Sequence, residues 1–117
     1  MEIEEKRVEA VFADGRLTVT LAGEIDHHSA RPLREAVDRL LEAHKPRDFR
    51  LSLERVNFMD SSGLGLILGR LALCRAIPCP MTLTNASERM KKIFLMAGLG
   101  HMQGLTIEGV QKKESVR

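Results

Sequence analysis

Aromatic side chains are scarce in this 117-residue sequence, which has no Trp or Tyr and only four Phe. Proteins that bind single-stranded nucleic acids or sugars stack the bases or the sugar rings on aromatic side chains, so we expect neither kind of binding. An excess of one charge is lacking too, because 18 Lys and Arg oppose 16 Asp and Glu. Since bases and acids are mixed along most of the chain, we expect no nucleic-acid partner.

Long apolar runs and a secretory signal are also missing. The start, MEIEEKRVEA, has no basic region followed by an apolar stretch, and no apolar run approaches the ~20 residues that cross a bilayer. We therefore expect a cytoplasmic protein with no membrane partner. In such a reducing compartment, the two cysteines, Cys74 and Cys79, are predicted to be buried small hydrophobic residues and not a disulfide.

What is present fits one globular domain. The 44% hydrophobic and 29% charged side chains are typical of a folded domain, and the length leaves no room for a second one. We expect a single domain over residues 1–117, with a frayed tail at 109–117.

Strand and helix patterns alternate along the chain. Two alternating segments, Arg7–Phe12 and Leu17–Leu21, flank Asp14-Gly15 and predict an antiparallel hairpin. A helix is then expected between a Ser29 cap and Pro46. A strand at Phe49–Leu53 runs into a loop at 57–59, and a second helix follows from Ser61 or Ser62 to Ala76. The last predicted elements are a strand at Met81–Leu83, a third helix and a strand at Leu105–Ile107. The third helix is capped by Asn85 or Ser87, ends at Gly98 and carries on one face Met90, Ile93, Phe94 and Ala97.

This order predicts an α/β fold. A mixed sheet of about four to five strands would begin with the hairpin and be covered by three to four helices.

The least ordinary segment is NFMDSSGLGLILGR, residues 57–70, where a strand-like run ends in Asp60, Ser61, Ser62 and Gly63 at the start of an apolar helix. The first N–H groups of a helix lack backbone partners and carry the positive end of its dipole. Such a position can hold an anion or a phosphorylated hydroxyl. The same residues also suit a simple helix cap, and both interpretations stay open at this point.

The predicted second helix has two apolar sides. At 100° per residue, one side faces the sheet and consists of Leu64, Ile67, Leu68, Leu71 and Cys74. The other side holds Gly65, Leu66, Gly69 and Leu73, with Arg70 at its flank. Glycine weakens a helix and leucine gains nothing from water, so this outward side is predicted to dock a partner. A neighbouring element or a second copy of the chain could cover it instead.

Three catalytic or metal-binding chemistries fit poorly. An acyl hydrolase is disfavoured because D-S-S-G is not the G-x-S-x-G of a nucleophile elbow. A dinucleotide site is disfavoured because the glycines from Gly63 to Gly69 are spaced one residue too far apart. Zinc is disfavoured because the 26–28 segment and the two cysteines do not form two closely spaced ligand pairs. We expect no metal, no cofactor and no enzymatic activity.

Two segments carry a family resemblance. GEIDHHSA at 23–30 and FMDSSGLGLILGR at 58–70 resemble the signature segments of STAS-domain anti-sigma factor antagonists, most closely the sporulation stage II type that controls sigma F. The resemblance covers about residues 7–108 and implies the STAS fold. It also implies that Ser61 is the phosphorylation site, with Asp26 and Asp60 as the acidic residues beside it.

The resemblance further implies partner switching. The unphosphorylated form would bind an anti-sigma factor that is also a serine kinase, phosphorylation of Ser61 would end the binding, and a PP2C-type phosphatase would reset it. The protein would be a monomer or weak dimer. Combined with the helix pattern, the predicted partner-binding residues are Asp26, Asp60, Ser62, Gly63, Gly65, Leu66, Gly69, Arg70 and Leu73. The alternative is a ligand-sensing or scaffold STAS module that binds a nucleotide, lipid or anion without being phosphorylated.

Three expectations concern geometry. Asp26 and Asp60 both end strand-like segments, so their loops should lie at one end of the sheet. Ser62 should help to cap the second helix. In that helix, Leu64 and Leu68 should be buried, while Leu66 and Leu73 should be mostly exposed.

Overall fold

Five strands and three α-helices follow one another in a computed structural model that describes residues 7–110. The elements are β1 (Val8–Ala13), β2 (Arg16–Ile25), α1 (Ala30–His44), β3 (Asp48–Met59), α2 (Ser61–Ala76), β4 (Met81–Thr84), α3 (Glu88–Met96), a 3₁₀ turn (Leu99–His101) and β5 (Leu105–Ile107). None of the helices within this range is both long and apolar enough to span a bilayer.

The strands form one mixed sheet in the order β1-β2-β3-β4-β5. β1 and β2 are antiparallel and joined by the predicted Asp14-Gly15 turn, in which both residues have positive φ (54° and 80°). The other neighbours are parallel and connected through helices. Such crossovers are right-handed, which places α1, α2 and α3 on one face of the sheet. The predicted α/β class and the N-terminal hairpin are confirmed.

The core lies between the sheet and the helices. Side chains alternate along the strands, so every second residue faces the helices. The buried residues of β2, β3 and α1 are Leu17, Val19, Leu21, Phe49, Leu51, Leu53, Leu33, Val37 and Leu41. The two cysteines are free thiols and are buried in this core, as predicted, and burial raises the pKa of Cys74.

The end of β3 differs from the prediction, whereas the start of α3 agrees with it. β3 continues to Met59 through the expected loop, because its end pairs with the end of β2: Glu24 lies opposite Phe58, and Ile25 opposite Met59. Local turn propensity at Asn57 is overridden by this pairing. α3 begins after Ser87, whose hydroxyl accepts the N–H of Met90 at 3.1 Å, as predicted.

The inner face of α3 is narrower than expected. Met90 and Phe94 are buried, whereas Ile93 and Ala97 are exposed. Gly98 ends the segment with a φ of 88°, the left-handed conformation expected of it. In the predicted frayed tail, residues 111–117 lie outside the described part of the chain.

Candidate functional site

Two acidic residues meet where β2 and β3 end. Ile25 and Met59 are paired neighbours, and Asp26 and Asp60 follow them directly. The backbone N–H of Asp60 donates to the carbonyl of Ile25 at 3.1 Å, which ties the two strand ends together. Neighbouring strands lie about 4.8 Å apart, so both carboxylates belong to one end of the sheet, as predicted.

Asp26 organises the turn that leads into α1. Its Oδ1 accepts the backbone N–H groups of Ser29 and His28, both at 3.0 Å. These hydrogen bonds, that of Ser29 foremost, stabilise the carboxylate and lower the pKa of Asp26 below its usual value. The carboxylate is therefore fixed in direction and ionised at neutral pH.

Ser29 has a different role from the predicted one. Its side chain does not cap α1. Instead the hydroxyl donates to the carbonyl of Glu24 at 2.8 Å and accepts the N–H of Asp26 at 3.0 Å. The turn needs these bonds because it reverses the chain directly after a strand, where backbone groups would otherwise lack partners.

Asp60 is the cap of α2. Its Oδ1 accepts the N–H of Ser62 at 2.8 Å. The expectation that Ser62 helps to cap the helix is wrong, because Asp60 occupies the cap position and Ser62 supplies only a backbone donor. Ser61 is the first helical residue and is exposed. Its hydroxyl is thus accessible at the positive end of the helix dipole.

α2 is rotated relative to the predicted orientation. Leu66 is only 3% exposed, so the prediction that it faces solvent is wrong. The other three leucines in question, Leu64, Leu68 and Leu73, are all half-buried. The physical reason is a second neighbour: α1 packs against α2 in addition to the sheet, and it covers the flank that carries Leu66 and Arg70.

Arg70 belongs to this covered flank and not to a free surface. Its Nε lies 2.7 Å from Oδ1 of Asp38 in α1, an ion pair without the alignment of a good hydrogen bond. Its Nη1 donates to the carbonyl of Leu66 at 3.4 Å. Burial lowers the pKa of Arg70, and the charge of Asp38 opposes that effect. Arg70 therefore joins α2 to α1, and the expectation that it binds a partner is not supported by its position.

The outward side of α2 runs in line with Ser61. We call Ser61, Gly65, Leu68, Gly69 and Ala72 the Ser61 strip; all five are exposed or half-buried. Their spacing of three, four and seven residues places them on one face of the helix. A methyl group added at Gly65 or Gly69 would meet no atom from elsewhere in the protein within 4 Å. The strip is thus flat, mostly apolar and open to close approach.

Gly63 differs from these two glycines. It is buried, and a Cβ at this position would overlap the side chain of Met59. It is needed for packing, so its predicted contact with a partner is not supported. Sequence reasoning also missed Phe58, which is 49% exposed two residues before Asp60. The signal was available, because a large apolar residue at the end of a strand, next to the acidic turn, is likewise a candidate contact.

The comparisons with known proteins agree with this geometry. The model of the STAS domain matches residues 7–112. An anti-sigma F factor antagonist of Lysinibacillus sphaericus is 36% identical over 84 residues, 72% of each chain. An anti-sigma-B factor antagonist of Bacillus subtilis is 39% identical over 83 residues, 71% of this chain and 74% of that one. This chain belongs to the STAS-domain family of anti-sigma factor antagonists.

Solved structures support the same fold for this STAS domain. Unphosphorylated SpoIIAA, an anti-sigma factor antagonist, superposes with a TM-score of 0.67 at 27% identity, over 89% of both chains. The phosphorylated form of SpoIIAA, a Bacillus cell fate determinant, superposes with a TM-score of 0.65 at 30% identity, over 86% of this chain and 89% of that one. The predicted STAS fold is confirmed, and both states of a phosphorylated relative share it.

Proposed function

We propose that the protein binds an anti-sigma factor through the Ser61 strip and the acidic strand ends, and thereby releases a sigma factor. The observation that carries this proposal is the position of Ser61. It is exposed, begins α2, heads a strip of small and apolar residues, and lies beside Asp60 and Asp26. The names of the relatives, which are anti-sigma factor antagonists, support the same regulatory function. We propose that the protein acts in the cytoplasm.

Phosphorylation of Ser61 is the proposed switch. A phosphate adds about −1.5 to −2 charge and three acceptor oxygens. Repulsion from a carboxylate ~6 Å away is on the order of 1–3 kcal/mol at the effective dielectric of a protein surface. Each ~1.4 kcal/mol changes a dissociation constant tenfold, so one modification suffices to release a partner.

The fold itself should tolerate the phosphate. The N-terminus of α2 offers unpaired N–H groups and a positive dipole to the new charge, which offset part of the repulsion from Asp60. Phosphorylation would then change the surface and not the structure. The kinase partner is proposed to be the anti-sigma factor itself, using ATP, with a PP2C-type phosphatase restoring the hydroxyl.

Intact-mass measurement tests the switch. The purified protein is incubated with ATP and a candidate anti-sigma kinase, and the mass should rise by one phosphoryl group. Ser61→Ala should gain none, while the matched variant Ser62→Ala should still gain one. Fragment spectra that place the phosphate on Ser62 would contradict the assignment. An unchanged mass with every candidate kinase would favour a ligand-binding STAS module.

A further inference from the structure

The outer edge of β1 is an open strand edge. Within residues 7–110, β1 pairs with β2 and with no other strand. The N–H of Ala22 donates to the carbonyl of Arg7 at 2.9 Å, which makes these two a hydrogen-bonded pair of the antiparallel ladder. Hydrogen-bonded and non-bonded pairs alternate in such a ladder. It follows that the residues whose N–H and C=O groups point away from β2 are Val8, Ala10 and Phe12.

This edge lacks the features that keep strand edges apart. Its sequence, VEAVFA, contains no Pro and no Lys, and its register with β2 has no bulge. Its one charged residue, Glu9, is already ion-paired with Arg55 at 3.1 Å. Val11 and Phe12 are 65% and 43% exposed. The strand is thus able to accept another strand without burying an unpaired charge.

A groove runs alongside the same edge, between β1 and α1. It has a volume of about 1150 Å³ and includes Val8 in its lining. Its wall on α1 combines an apolar stripe at helical spacing with the charged side chains of Glu35 and Arg39; the stripe is made of Pro32, Ala36, Leu40 and Ala43. Side chains of an added strand that point to the helix side would enter this groove.

We propose that the occupant is a second copy of this chain, paired antiparallel along β1 with Ala10 on the two-fold axis. Val8 then lies opposite Phe12 of the second copy, and Phe12 lies opposite Val8 of the second copy. These three residue pairs form two backbone bonds each, about six in all. The two sheets become one continuous sheet, and the exposed edge of each copy disappears.

Self-pairing fits the strand better than an unrelated partner in two respects. The groove-side pairs are all apolar, which favours cross-strand contact. Arg7 does not oppose the pairing either, because its guanidinium donates to the carbonyls of Ala22 and Glu24 within its own copy. A two-fold arrangement of this kind closes on itself and does not extend into fibres.

The proposed dimer leaves the Ser61 strip accessible. α2 follows β3, two strands away from β1 in the sheet, and α1 lies between the groove and α2. Of the residues proposed to bind the anti-sigma factor, Asp26 also lines the groove. The dimer proposal rests on the edge of β1 and not on the proposed function, and either can fail alone.

Mass measurements on the full chain test the dimer. By analytical ultracentrifugation, the average mass should rise from one chain towards two between micromolar and millimolar concentration. Ala10→Glu places two carboxylates opposite each other across the axis and should keep the protein monomeric. The control, Val11→Lys, faces Glu9 of the second copy and should dimerise at least as well. A wild-type protein that stays monomeric, or Ala10→Glu dimers, would overturn the proposal.

Cysteine cross-linking tests the register. Paired residues that share hydrogen bonds have Cα atoms about 5.5 Å apart, within disulfide reach. Under mild oxidation Ala10→Cys should form cross-linked dimers at least about ten times faster than Val11→Cys, whose two sulfurs are one diagonal step apart. Equal rates, or faster linking at Val11, would contradict a two-fold axis at Ala10. Cys74 and Cys79 are buried and should not contribute.

Discussion

Gly65→Ala should stabilise the protein and at the same time weaken its binding. Gly65 is an exposed residue inside α2, and an added methyl group meets no atom from elsewhere in the protein within 4 Å. Alanine is favoured over glycine in a helix interior by about 0.8–1.0 kcal/mol. The free energy of unfolding should therefore rise by about 1 kcal/mol, and the melting temperature by about 4 °C.

The same methyl group should harm the complex. It projects from the Ser61 strip, where the anti-sigma factor is proposed to approach the helix backbone closely. A tightly packed interface tolerates an added methyl poorly, at a cost of about 1–3 kcal/mol. The dissociation constant should rise about tenfold or more, since each ~1.4 kcal/mol is tenfold. Titration calorimetry with the anti-sigma factor measures this change.

Gly63→Ala is the matched control in the same helix. Its Cβ overlaps Met59, so this variant should lose about 1–3 kcal/mol of stability where Gly65→Ala gains. Circular dichroism melts of both variants show directly whether the stability rises in Gly65→Ala and falls in Gly63→Ala. If Gly65→Ala binds as tightly as the wild type, the strip is not a close contact. If it melts lower than the wild type, the description of this helix face is wrong.

Three further predictions concern the helices and the acidic turn. Leu66→Ala should cost about 2–5 kcal/mol in denaturant unfolding, whereas Ala72→Lys, on the exposed strip, should change stability by less than about 0.5 kcal/mol and still weaken anti-sigma binding. Asp38→Ala should cost about 1–3 kcal/mol because it leaves a buried donor of Arg70 without its partner. If the substitution costs as much in a protein that already lacks Arg70, that cause is refuted. Since folding lowers the pKa of Asp26, its stabilising effect should be complete above the ordinary value of 3.8 and fade as the pH falls through the lower folded value. Asp26→Asn should remove this part of the acid sensitivity in melts from pH 2 to 7.

Much of the fold could be predicted from local patterns. The hairpin was predictable because Asp14-Gly15 suits positive φ, and α3 because Ser87 and Gly98 carry strong start and stop signals. The length of β3 was not, since its last residues are strand only through pairing with β2. Long-range pairing of this kind leaves no local trace in the sequence.

The site could be predicted only in part, because its remaining features also depend on long-range contacts. That Asp26 and Asp60 share one end of the sheet follows from the topology of parallel strands. The orientation of α2 does not, because leucines occur all around this helix and a helical wheel has no polar side to define its outward face. Its true orientation depends on α1, and the Asp38–Arg70 pair is the contact that a single-helix pattern could not contain.

Some of the unusual residues of α2 are explained by contacts inside the domain, and others are not. Gly63 is explained inside the domain, by the side chain of Met59, and Arg70 by Asp38. Gly65 and Gly69 have no such explanation, because alanine fits at both positions and would strengthen the helix. A helix that keeps two residues unfavourable to its own stability, on the face that begins with Ser61, is typical of a surface shaped by function. Under the proposed function, the requirement for small residues there comes from the anti-sigma factor that docks on them.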